Sequence, residues 1–157
     1  METLDQPSLL WGFSLIVLTV AIHATAVVML AFAGVGIRVR LETSGLKIWN
    51  LIPILICFIG VTGLLLAVLH GVECGIWAAV YVWLGALDSP VDALLYSVDS
   101  MSTRGASGLT LHRHWQMMGA LEAVDGMLLF GVSTAYLFAV MQAHWSILTA
   151  HATRSES

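Results

Sequence analysis

From residue 9 to residue 35 the chain contains no Lys, Arg, Asp or Glu. As a helix rising about 1.5 Å per residue, such a run is long enough to cross the roughly 30 Å hydrocarbon layer of a bilayer. The composition of the whole chain fits that solvent. Of 157 residues, 59% are hydrophobic and 10% charged, against about a quarter charged in ordinary soluble domains. No basic cluster precedes the run and no clear small-residue cleavage site lies in it, so it reads as a retained membrane span, with a cleaved signal peptide as the alternative.

Two more apolar stretches follow. The first starts near Ile48 and lasts to Leu87, about 40 residues, which as one helix would be about 60 Å long, twice a bilayer. His70, Gly71, Glu73 and Gly75 interrupt it, so a crossing over residues 48–69 is expected. The segment "IWAAVYVWLGAL" then continues the helix or forms a separate cap, with Trp77, Tyr81 and Trp83 as an interfacial aromatic belt. The last span is expected over residues 115–144. Between spans one and two, Gly34 and Gly36 loosen the helix, and Arg38, Arg40 and Lys47 cluster. By the positive-inside rule this loop faces the cytoplasm, which puts the N-terminus outside and the C-terminal tail (His151, Arg154) inside.

"DSPVDALLYSVDSM" opens with a helix start: Asp88 or Ser89 as N-cap, Pro90 in the first helical position and Asp92 in the first turn. The apolar run is too short to span, so a re-entrant helix is expected. "STRGASG" follows. Its small residues and glycines leave backbone N–H and C=O groups that lipid cannot satisfy, so it must be buried in protein or line a watery path.

Taken in order, outer span, short re-entrant helix, glycine-containing loop and inner span resemble the pore module of tetrameric potassium channels over residues 46–142. In particular the chain resembles small bacterial ion-channel proteins with one extra N-terminal span. "ALLYSVDSMSTRG" looks like that family's pore helix and filter entrance. "WQMMGALEAVDGMLLFGVSTAYLFAVMQ" looks like its inner helix. The resemblance implies an all-α membrane protein in the bacterial inner (plasma) membrane, with three transmembrane helices plus a re-entrant pore helix and filter loop per subunit. It further implies a homotetramer conducting monovalent ions. Residues 1–45 would be the N-terminal span and its loop, 46–144 the pore module and 145–157 a cytoplasmic tail.

Laid over the family's filter "TVGYG", Thr103 falls on the threonine, Arg104 on the valine, Gly105 on the first glycine, Ala106 on the tyrosine and Ser107 on the second glycine. Gly108 follows in place of an aspartate. Backbone carbonyls there replace the hydration shell of the ion. Arg104 is the sharpest departure. In the family this residue points behind the filter, where a charge must be paired. Asp99 is the expected partner, with Glu122 and Asp125 as further candidates. Paired, the loop is locally neutral and conducts cations with altered selectivity. Turned to the axis, four copies of Arg104 form a ring suited to anions. A non-conducting or regulatory protein on the same scaffold is the other alternative.

On the inner helix, Gly126, Gly131, Ser133 and Thr134 are candidates for a hinge or the pore lining. Small residues also let helices approach closely in lipid, which is the expectation for Gly131, while Gly126 stays open. His70 and Glu73 lie three apart on one helical face and read as a polar pair at the membrane surface. A metal site needs three or four ligands, and the others are not evident, so no metal is expected. His23, deep in the first span, reads as a neutral imidazole bonded to a neighbouring helix. "HRHW" (His112, His114, Trp115) reads as a solvated turret at the outer mouth, with Trp115 anchoring the inner helix. Cys57 and Cys74 are too far apart along one helix, about 25 Å, to bridge. No nucleophile triad, HExxH pair or nucleotide-binding glycine loop marks an enzyme, no cofactor is expected, and no basic run suggests nucleic acid.

Overall fold

A computed structural model describes residues 6–43, 48–105 and 108–154. Among them there are helices and turns and no strand: α1 (Gln6–Thr43), α2 (Ile48–Trp83), α3 (Pro90–Met101), a 3₁₀ turn (Arg113–Trp115) and α4 (Gln116–Arg154). Stretches of α1, α2 and the 3₁₀–α4 segment are long and apolar enough to cross a membrane: Gln6–Leu41, Trp49–Trp83 and Arg113–Trp145. The chain is membrane-embedded.

The distribution of side chains is inverted relative to a water-soluble protein. Phe13, Val17, Met29, Phe32, Ile56, Leu64, Phe130 and Phe138 are exposed, while Ser8, Thr19, His23, Glu73, Ser97, Glu122 and Asp125 are buried. In water such an apolar surface would far exceed the patches a monomer tolerates. In lipid it is the solvated side, and polar groups turn inward to find one another.

Helix ends differ from the sequence expectation in three places. α1 continues through Gly34 and Gly36 to Thr43, because a helical glycine costs only about 1 kcal/mol and does not by itself stop a helix. α2 is one helix through His70, Gly71, Glu73 and Gly75 to Trp83, so of the two alternatives for the segment after residue 69 the continuing helix is the one found, and no break marks the end of a crossing. Pro53 sits within it, where it lacks the N–H for one ladder bond. α4 runs past His144 to Arg154.

The chain divides into two compact units. The first joins the chain up to His23 with Val68–Gly131. Its core contains Leu15, Cys74, Trp77, Tyr81, Ala93, Met101, Met118 and Leu129. Trp77 and Tyr81 are fully buried, and only Trp83 of the expected aromatic belt is exposed. The belt assignment fails because the helical period turns positions 77 and 81 to the same face as Glu73 and Cys74, inward. Trp83 instead meets Trp11 edge-on at 5.3 Å. The second unit joins Ala24–Ala67 with the chain from Val132. It packs Leu41, Leu51 and Leu55 together with Ile37, and sets Phe58 against His144 at 5.3 Å.

Candidate functional site

The first unit places three helix faces together, each built mainly on steps of three and four residues. α1 presents Ser8, Gly12, Leu15, Thr19 and His23, α2 presents Glu73, Cys74, Trp77 and Tyr81, and α4 presents Met118, Glu122, Asp125 and Leu129. Such steps keep one stripe of an α-helix facing its neighbour. The stripes are rich in small and polar residues, as expected for helix contacts in lipid.

α3 is inserted between α2 and α4. Ser89 caps it, accepting a hydrogen bond from the Asp92 N–H at 3.3 Å. Ser97 Oγ donates to the Cys74 carbonyl of α2 at 2.9 Å and lies in hydrogen-bond contact with Glu122 of α4. Ser100 Oγ donates to the Gly119 carbonyl of α4 at 3.0 Å. At Gly126 the fit is tighter still, since a Cβ there would collide with the Met101 backbone.

The end of α3 forms a Schellman turn. The Arg104 N–H bonds to the Asp99 carbonyl and the Thr103 N–H to the Ser100 carbonyl, each at 3.0 Å. This turn requires a left-handed residue, and Thr103 takes that place with φ 57°, a conformation that costs an L-residue about 1–2 kcal/mol. The same turn brings Arg104 back over Asp99, with Nη2 2.7 Å from Oδ1. Asp99 is buried, whereas the Arg104 side chain is 67% exposed. Gly105 follows with φ 82°. Ala106 and Ser107 lie outside the described residues.

The two other acids considered for Arg104 have different partners. Glu122 accepts from Tyr81 Oη at 2.7 Å and lies in hydrogen-bond contact with Ser97. Asp125 Oδ2 accepts from Thr19 Oγ1 at 2.6 Å and from Trp77 Nε1 at 3.0 Å. Both carboxylates are fully buried, so these hydrogen bonds replace solvation that lipid cannot supply. Thr19 has no counterpart in the sequence reading, which took Trp77 and Tyr81 as interfacial aromatics and not as donors to these acids. The signal available for Thr19 was the stripe of Ser8, Gly12 and His23 around it. Nothing local in α2 marks the two aromatic rings as hydrogen-bond donors.

The other inner-helix candidates separate. Gly131, expected at a helix contact, has nothing within 4 Å of where its Cβ would be, because residue 131 lies off the stripe that carries 118, 122, 125 and 129. In the second unit Ser133 is buried and Thr134 exposed. His112 and His114 are exposed, and Trp115 packs against the first unit's core. Cys57 and Cys74 are free.

One further cluster joins α1 to α2. His23 Nδ1 lies 2.9 Å from Glu73 Oε1, and His70 Nδ1 lies 3.4 Å from Glu73 Oε2. The two imidazoles approach to 5.1 Å between ring centres. Glu73, expected at the membrane surface, is fully buried, because α2 does not break and the helical period turns it toward α1. These three residues each offer a ligand atom, all within 4.8 Å of one another.

Comparisons with protein-family models, with curated proteins and with solved structures find no match to this chain.

Proposed function

We propose that this chain is the pore-forming subunit of a homotetrameric cation channel on a potassium-channel-like scaffold, with selectivity altered by the sequence "STRGASG". The observation that carries this reading is α3. It is a 12-residue helix, about 18 Å long and so too short to cross a bilayer. It is held between two helices that are long enough, by Ser97 on α2 and Ser100 on α4, and it ends in a turn that opens into an irregular, glycine-containing loop.

One such loop cannot enclose a path, so an assembly is required, and the resemblance to potassium channels implies four chains around an axis. In that assembly carbonyls of Thr103, Arg104 and Gly105 would take the place of water around a monovalent ion. Asp99 neutralises Arg104 and keeps the entrance from carrying four unpaired positive charges. The N-terminus would face outwards and the C-terminus the cytoplasm of an inner (plasma) membrane.

The exposure of Arg104 favours a second reading, in which its ring selects anions. Flux from purified protein in liposomes under potassium, sodium and chloride gradients, beside Arg104→Ala, separates the two. Cation flux in the unmodified protein supports the first reading, and chloride flux abolished by Arg104→Ala supports the second. Silence relieved by Arg104→Ala identifies the arginine as a plug. Silence in both proteins overturns the channel assignment in favour of a non-conducting or regulatory role.

A further inference from the structure

We infer that His23, His70 and Glu73 form a binding site for one divalent transition-metal ion of the zinc class within the membrane-spanning helices. The site is a clip between α1 and α2, and it stands whether or not the chain conducts ions.

Donor type is the first argument. Two imidazoles and one carboxylate are the N and O ligands that zinc accepts, and three protein ligands with a fourth position left to water are a stable arrangement for it. Magnesium and calcium, which prefer all-oxygen shells, are poorly matched.

Spacing is the second. Around a tetrahedral zinc with bonds of about 2.0–2.1 Å, neighbouring ligand atoms are separated by about 3.3–3.4 Å. His23 Nδ1 lies 2.9 Å from Glu73 Oε1 and His70 Nδ1 lies 3.4 Å from Oε2, the other oxygen of the same carboxylate, and no pair of offered ligand atoms exceeds 4.8 Å. Side-chain rotation that closes the widest of these separations, by up to about 1.4 Å, would bring the set around one ion.

Solvation is the third. Glu73 Oε2 is buried without a hydrogen bond, with His70 Nδ1 3.4 Å away, although a carboxylate oxygen held so loosely is costly in a membrane interior. A bound cation satisfies it. His23 is 1% exposed and Glu73 fully buried, while the His70 side chain is 26% exposed, so His70 marks the side from which an ion and its water enter. A purely structural cluster, two imidazoles holding one carboxylate by hydrogen bonds, is the competing account.

The test uses the full chain purified in detergent without a histidine tag. It is exposed to zinc, desalted, and measured for bound metal per chain, with magnesium as the control ion and visible absorption of the cobalt-loaded protein as a report of tetrahedral geometry. One zinc per chain is expected, with a rise in Tm on zinc addition and tetrahedral cobalt absorption. In His70→Ala and Glu73→Gln the affinity should fall by at least about 10- to 100-fold, the loss that even outer partners of a metal produce. His112→Ala/His114→Ala should bind as the unmodified protein does.

Absence of bound zinc in the unmodified protein would overturn the site. So would zinc retained unchanged in His70→Ala, or zinc lost only in the His112/His114 variant. If Glu73→Gln fails to fold, His70→Ala together with the cobalt spectrum of the unmodified protein decides the question. Because metal content is read without any flux measurement, a silent channel leaves this result intact.

Discussion

Thr103 is the residue whose backbone is furthest from its preference. A β-branched side chain at φ 57° is unfavourable because its Cβ crowds the following carbonyl, and glycine is the usual occupant of this place in a Schellman turn. Thr103→Gly is therefore expected to stabilise the protein by about 1 kcal/mol, read as an upward shift in thermal or denaturant unfolding in detergent. A loss of stability would mean that the threonine side chain makes a contact worth more than the strain. Tyr81→Phe tests a different cost. It removes the donor to Glu122 Oε2 while keeping the ring, and an orphaned buried acceptor costs about 1–3 kcal/mol. An unfolding midpoint equal to that of the unmodified protein would show that Glu122 finds another donor at no expense. Arg104→Ala removes a mostly exposed partner from Asp99, and exposed ion pairs contribute little, about 0.2–1 kcal/mol. Its main effect is expected in ion flux and not in stability.

At the scale of elements, the short helix α3 is seated by its neighbours. Twelve residues are marginal as an isolated helix. The cap at Ser89, the bonds from Ser97 and Ser100 to the backbones of α2 and α4, and the close passage at Gly126 hold it. Gly126→Ala puts a methyl group against the Met101 backbone. Backbone cannot move aside as a flexible side chain can, so a destabilisation of about 1–3 kcal/mol is expected. Gly131→Ala meets open space in this chain and should be neutral or stabilising by up to about 1 kcal/mol through helix propensity. A marked loss at Gly131 would instead reveal a contact with another subunit. The pair of substitutions thus reports both how α3 is clamped and where chains meet.

For the whole molecule, the proposed pore requires an assembly, and four chains of 16.9 kDa in a native complex, measured by mass spectrometry from detergent, are the expected species. A monomer under conditions that preserve helicity would remove the enclosed path on which conduction depends. The membrane character was legible from the sequence, because the uncharged run of residues 9–35 and the two later apolar stretches are long enough to need lipid as a solvent. The start of α3 was legible too, in Ser89, Pro90 and Asp92, since caps and first-turn residues act within one turn of the chain. The inward face of α2 was not. Trp77 and Tyr81 look like interfacial aromatics from their neighbours in sequence, and only the packing of α4 and α1 against them makes them donors to Asp125 and Glu122. The histidine cluster is the same case at longer range, since His23 and Glu73 are 50 positions apart. The sequence by itself determined the solvent, the helical state and the local ends of elements, because those follow from composition and short-range hydrogen bonding. Only the tertiary structure decided which buried polar groups meet. In lipid each must find a partner, and that partner is chosen by which helix faces pack together.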